Sequence, residues 1–260
     1  MRLSLVMVIA WLGAVGPDAA HAQEPLLISD RPGQTMLPTL APAHTAQVET
    51  GIVAARQATS TTSTLILRYP TTVLRVGLLP TFELRVTGEF LDQTATIDSS
   101  GLESTRRGVR GIAVGCKSFI AKERGPRPEM AIAFMLALPV GTQGLYAKYP
   151  APSVTFAFKK SVARSAWICY NVGGSWNGNN AIPGISYSAH LNVSPEPGLN
   201  AFAEIYGNVD PTSHPLHGID AGLSLLTTPT FQADLTAGIR ISPFGPDYFL
   251  GTGLTWRFVE

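Results

Sequence analysis

Glu49, Arg75, Glu83, Arg85, Glu89, Lys117, Lys159, Glu204, Asp220, Asp234, Arg240 and Arg257 sit among apolar or small neighbours, on the polar face of segments that alternate with a period of two. A charge inside a strand is costly unless its face meets water or a partner. Charges of both signs on one such face can orient the polar ends of a solute moving through a lumen. They can also pair with one another and stiffen a narrow interior. His190 and Tyr206 share that face and join the set of lumen-lining candidates. Asp30 and Arg31 precede any strand, in an arm that either folds back into the lumen and gates it or remains a periplasmic tail.

Other chemistries have less support. Ser186, Ser188 and His190 suggest a barrel-embedded hydrolase, but Ser186 and His190 are roughly 13 Å apart along one strand and cannot hydrogen-bond. His214 and His217 lack a third ligand, so no metal site and no cofactor is expected. A net charge of +1 gives no nucleic-acid footprint.

The elements that position the charges are strands. Ile185, Tyr187, Ala189, Leu191 and Val193 share one face, with Ser186, Ser188, His190 and Asn192 on the other. Phe231, Ala233, Leu235, Ala237, Ile239 and Ile241 alternate in the same way with Gln232, Asp234, Thr236, Gly238 and Arg240. The pattern predicts about twelve strands, near residues 47–56, 62–78, 82–91, 111–121, 130–138, 153–160, 165–173, 185–194, 199–207, 218–226, 231–241 and 248–258. Most match the roughly 9 to 11 residues that a tilted strand needs to cross a bilayer. The second is longer, and Pro70 inside it marks a bulge above the membrane. Short turns at 79–81, 161–164, 195–198 and 227–230 alternate with longer loops at 92–110, 141–152, 174–184, 208–217 and 242–247. An even strand number and loops sorted by length describe an all-β, antiparallel up-and-down transmembrane barrel.

Composition agrees. Charged residues make up 14% of the chain, against about 25% in soluble domains, and mean hydropathy is +0.16. Met1-Arg2, an apolar run to Val15 and Ala20-His21-Ala22 read as a signal peptide over residues 1–22. An extended N-terminal periplasmic arm over 23–43 and a barrel over 44–260 follow. The expected partners are outer-membrane lipid, a small-molecule solute and the barrel-insertion machinery, in the bacterial outer membrane. The sequence leaves the oligomeric state open.

Aromatic residues near strand ends are expected to form two girdles. Phe82, Phe119, Phe231, Trp256 and Phe258 mark the periplasmic side, and Phe90, Tyr206, Tyr248 and Phe249 the outer side. Cys116 and Cys169 fall on opposite faces, which argues against a disulfide.

Several segments carry a family resemblance in order along the chain. They are Ile28-Ser29-Asp30-Arg31-Pro32-Gly33-Gln34-Thr35, Gln47-Val48-Glu49-Thr50-Gly51, Leu74-Arg75-Val76-Gly77 with Glu83-Leu84-Arg85, Leu138-Pro139-Val140-Gly141, Ala203-Glu204-Ile205-Tyr206-Gly207, and Gly251-Thr252-Gly253-Leu254 with Arg257-Phe258. Together these resemble the outer-membrane transporter family labelled meta-pathway of phenol degradation protein. Gly101-Leu102-Glu103 stands where that family has a Gly-Asp pair. The resemblance implies passage of small molecules, aromatic ones among them. Function is therefore expected to be passive passage of small, aromatic or weakly polar solutes. The alternatives are a non-conducting structural barrel and the embedded hydrolase.

Overall fold

The computed structural model describes residues 26–259, so the expected signal peptide lies outside the described residues. Twelve strands follow in order: β1 (Thr45–Ala58), β2 (Thr62–Leu79), β3 (Phe82–Ile97), β4 (Glu103–Ala121), β5 (Glu129–Ala137), β6 (Ala151–Ala163), β7 (Ala166–Ser175), β8 (Gly184–Glu196), β9 (Leu199–Val209), β10 (Leu216–Thr228), β11 (Phe231–Arg240) and β12 (Tyr248–Val259). Each pairs antiparallel with its chain neighbours. The sheet closes where β1 meets β12, from Thr45 opposite Val259 to Arg56 opposite Tyr248.

Burial is inverted relative to a water-soluble domain. Along β11, Gln232, Asp234 and Thr236 are buried, whereas Leu235 and Ile239 are 57% and 50% exposed. Exposed apolar surface on this scale is stable only against lipid, and closure leaves no unpaired sheet edge within the bilayer. Cys116 lies on β4 beside the buried Lys117, Cys169 is fully buried on β7, and both thiols are free. Thiol counting on unreduced, denatured protein should find both reactive; a count of none would mean that one of these strands is off register.

The structure corrects the sequence reading at three points. Residues 92–110 are not a loop, because β3 and β4 extend to Ile97 and from Glu103 as a tall hairpin. Thr94 bonds Thr105 across it at 3.2 Å, and the Arg107 guanidinium donates to Asp92 at 2.8 Å. Both faces of this hairpin are polar above the membrane, so the alternation that marks a strand is lost there. Phe249 points inward and is buried, because it follows Tyr248, which faces outward at 46% exposure. At the short-turn end the hairpins tighten to two-residue turns, Pro80-Thr81, Arg164-Ser165, Pro197-Gly198 and Pro229-Thr230. The pairing of β2 skips from Arg68 to Thr71, leaving Tyr69 and Pro70 out of the β2–β3 ladder. The connection after β4 runs long; in it Glu123 accepts from Lys160 and Ser161 at 2.7 and 2.9 Å. These bonds hold the Glu123 carboxyl down at about 2.

Candidate functional site

The arm turns into the barrel. Leu27 donates its backbone N–H to Pro229 in the β10–β11 turn at 3.0 Å, and His44 donates to Gly77 at 2.8 Å. The segment therefore enters and leaves at the short-turn end. Between these points its backbone has no strand to pair with. Every buried N–H still needs an acceptor, and the inward side chains supply them. Gln34 N donates to Glu204 at 2.6 Å, Met36 N to Asn171 Oδ1 at 2.7 Å and Ala41 N to Glu83 at 2.6 Å. Asn171 returns a bond to the Met36 carbonyl at 2.9 Å. Ser29 meets Thr255 at 2.8 Å, and the Thr35 hydroxyl bridges Ser188 and Glu204. Leu37 N closes the loop on Asp30 at 2.9 Å.

Two charged docks hold this loop. On the β1–β4 wall, Asp30 accepts from Arg85 at 2.7 Å and lies 3.6 Å from Lys117. Arg75 binds Glu49 at 2.8 Å and Glu83 at 2.9 Å. Arg75 and Lys117 also donate to the Thr39 carbonyl, at 2.9 and 2.8 Å. Three cations, Arg75, Arg85 and Lys117, thus face three carboxylates, Glu49, Glu83 and Asp30. The wall alone carries two of those carboxylates, so the arm completes the balance. Beside the β1–β12 seam the Arg31 guanidinium grips Asp234 of β11 with two bonds of 3.0 Å. Paired geometry of this kind is the strongest a carboxylate finds in a protein.

The remaining predicted residues spread along the lumen. Glu204 and Asp220 are partners across β9 and β10, both buried. His190 is buried with its ring 5.7 Å from that of Phe202, and the Lys159 ammonium lies 5.1 Å over Trp167. Arg257 is buried and reaches the Pro229 carbonyl at 3.4 Å. Tyr206 lies across Gly218, where a Cβ would strike its ring. Two residues stand apart from this interior. Glu89 pairs with Arg110 at 3.3 Å nearer the long loops, and Arg240 pairs with Asp247 at the outer rim. Of the two loop histidines, His214 stacks on Phe244 and His217 bonds Tyr187 at 2.8 Å.

Sequence reasoning missed the glycines. Gly51 of β1 and Gly253 of β12 are cross-strand partners, and a Cβ on either would overlap the Arg31 guanidinium. A Cβ on Gly77 would overlap the Pro42 carbonyl where the arm leaves. Gln47 and Ser188 were readable as lumen residues from parity, but nothing in the sequence marks them as arm contacts.

Apolar outside, charged inside and with its loops sorted by length, the molecule is an outer-membrane β-barrel. The chain belongs to the family described as "Putative MetA-pathway of phenol degradation", whose model matches residues 29–258 and so includes most of the arm. No curated protein matches the chain in sequence. Among solved structures it is similar to an outer membrane channel from Pseudomonas putida F1, with a TM-score of 0.61 and 14% identity over 87% of this chain and 99% of that one. It is also similar to the KdgM porin in complex with disordered oligogalacturonate, with a TM-score of 0.51 and 9% identity over 82% and 99% of the two chains. The translocator domain of autotransporter NalP from Neisseria meningitidis gives a TM-score of 0.52 and 10% identity over 84% and 90%. At these identities the likeness is one of fold.

Proposed function

We propose that the protein is a passive channel for small, uncharged or weakly polar solutes, aromatic ones among them, and that the arm is its gate. One observation carries the reading: Arg31 borders two cavities. One, of about 250 Å³, lies toward the long loops among Thr71, Gly88, Glu89 and Gly111. The other, of about 450 Å³, lies toward the short turns among Trp167, His190 and Phe202. Arg31 is the residue the two linings share, and Asp234 holds its guanidinium. On this reading a solute crossing the barrel meets Arg31, and the arm must move for the two spaces to join.

Supporting points come from the lumen and from relatives. Mixed charges in pairs leave no strong field for ions of one sign. Ala131, Ala133 and Phe202 give the interior apolar surface. The family description points to phenol degradation, and the Pseudomonas putida F1 relative is an outer membrane channel. Uptake runs down a gradient. The competing reading is a structural barrel whose charges only pair, favoured by the balanced Asp30 dock. Liposome swelling with a panel of small solutes separates them. Permeation of weakly polar solutes is expected; none from folded, heat-modifiable protein, even without residues 23–43, sinks the channel.

A further inference from the structure

We infer that the cavity between the arm and the β7–β11 wall is a binding site for a ring-sized solute bearing an oxygen that accepts hydrogen bonds. The inference rests on the channel reading and names what its inner chamber holds. The chamber, about 450 Å³, is within the range of roughly 300 to 1,000 Å³ typical of ligand sites.

Its polar groups point to a ligand. Among the described residues, Trp167 Nε1, both ring nitrogens of His190, Asn192 Oδ1 and Gln232 Nε2 are buried without a hydrogen-bond partner. All four residues line this one cavity. His190 is 7% exposed and Gln232 4%, so both are more than nine-tenths buried. Buried polar groups are almost always bonded, and unpaired ones rarely gather in one place. Glu49 Oε2 and the Asp220 carboxylate oxygens are also without a partner, but neither residue lines this cavity. The arm borders it with Leu27, Asp30, Arg31 and Thr35, and none of these bonds the four groups.

The types of group define the chemistry. Indole N–H and amide N–H donate, and a neutral imidazole adds one donor and one acceptor. The Lys159 ammonium also lines the cavity, over the Trp167 ring. Against these stand the Asn192 Oδ1 acceptor and the Asp30 and Glu196 carboxylates, while Arg31 and Arg164 join Lys159 as cations. Donors and positive charge prevail by a small margin, which suits an acceptor oxygen, whether hydroxyl or carboxylate. The rings of Trp167, Phe202 and His190 offer flat apolar faces, with His190 tilted 44° to Phe202. Stacked or edge-on contact with a second ring fits that wall. The chamber lies on the short-turn side of Arg31, so a solute reaches it after the arm has opened.

Trp167 reports on the site. Substituting Trp11→Phe, Trp176→Phe and Trp256→Phe in the whole protein leaves it as the one tryptophan of four. In detergent micelles, titration with benzyl alcohol and with benzoate should shift its emission saturably. Toluene, the same ring without oxygen, should bind about tenfold more weakly. Gln232→Leu should remove that preference while toluene binding persists. Benzoate binding weakened by Lys159→Met, with benzyl alcohol unchanged, would assign the carboxylate arm to the ammonium. Equal response to benzyl alcohol and toluene overturns the proposal, as does a heat-modifiable protein with no saturable shift. Liposome swelling on the same preparation keeps the two readings apart. Swelling without saturable binding discards the site and leaves the channel; absence of both discards both.

Discussion

Deleting residues 23–43 should raise the permeation rate of small solutes by about tenfold or more, read as liposome swelling or as planar-bilayer conductance. A loss of about 1.4 kcal/mol of docking already shifts an open population tenfold. The arm contributes far more than one contact of that size. Its Asp30 neutralises a dock of Arg75, Arg85 and Lys117, its Arg31 holds Asp234 with two bonds, and its backbone satisfies Glu83, Glu204 and Asn171. With the arm gone, the wall charges face water instead of a dry interior, so the barrel itself should persist. A point substitution sharpens the test. Gly253→Val places atoms where the Arg31 guanidinium lies and should raise permeation in the same direction with the arm intact. If neither variant changes the rate, the arm is not the barrier.

Arginine in place of Leu235 should lower stability by about 2 to 4 kcal/mol in a lipid-refolding titration. Leu235 is midway along β11 and faces outward, opposite Leu223 and Thr252 of its neighbours. A guanidinium there must enter hydrocarbon or thin the bilayer around itself. The matched control is Ile97→Arg, at the tip of the β3–β4 hairpin and also exposed. That position is above the apolar band and should lose no more than about 0.5 kcal/mol. Equal losses at the two positions would remove the lipid-facing assignment of β11.

The interior was legible because ionisable residues are too costly to place inside a strand without a purpose. Glu49, Arg75, Glu83, Lys117 and Glu204 each break an apolar rhythm at an inward position, and all five are buried in the lumen. The rhythm fails where its cause fails. Above the membrane, Asp92–Thr96 and Glu103–Arg110 meet water on both faces, so their pairing left no periodic trace. Phe249 was grouped with the outer girdle on residue type alone, and parity overrules type within a strand. The arm lay beyond reach for another reason. Its partners are single side chains drawn from many strands, and no local spacing encodes them. The Gly51–Gly253 notch needs the register between the chain's two ends, which only the closed sheet defines.

That notch bears on the order of assembly. Arg31 rests against Gly51 from the first strand and Gly253 from the last, and reaches Asp234 on the strand before the last. Contacts between chain ends are the most distant in sequence and on entropic grounds come late. Until β12 has zipped onto β1 the socket is incomplete and the guanidinium has no seat. Plugging is thus reserved for finished barrels. The arrival of one strand ends two hazards in the same moment, an unpaired edge open to aggregation and an unguarded hole in the cell envelope.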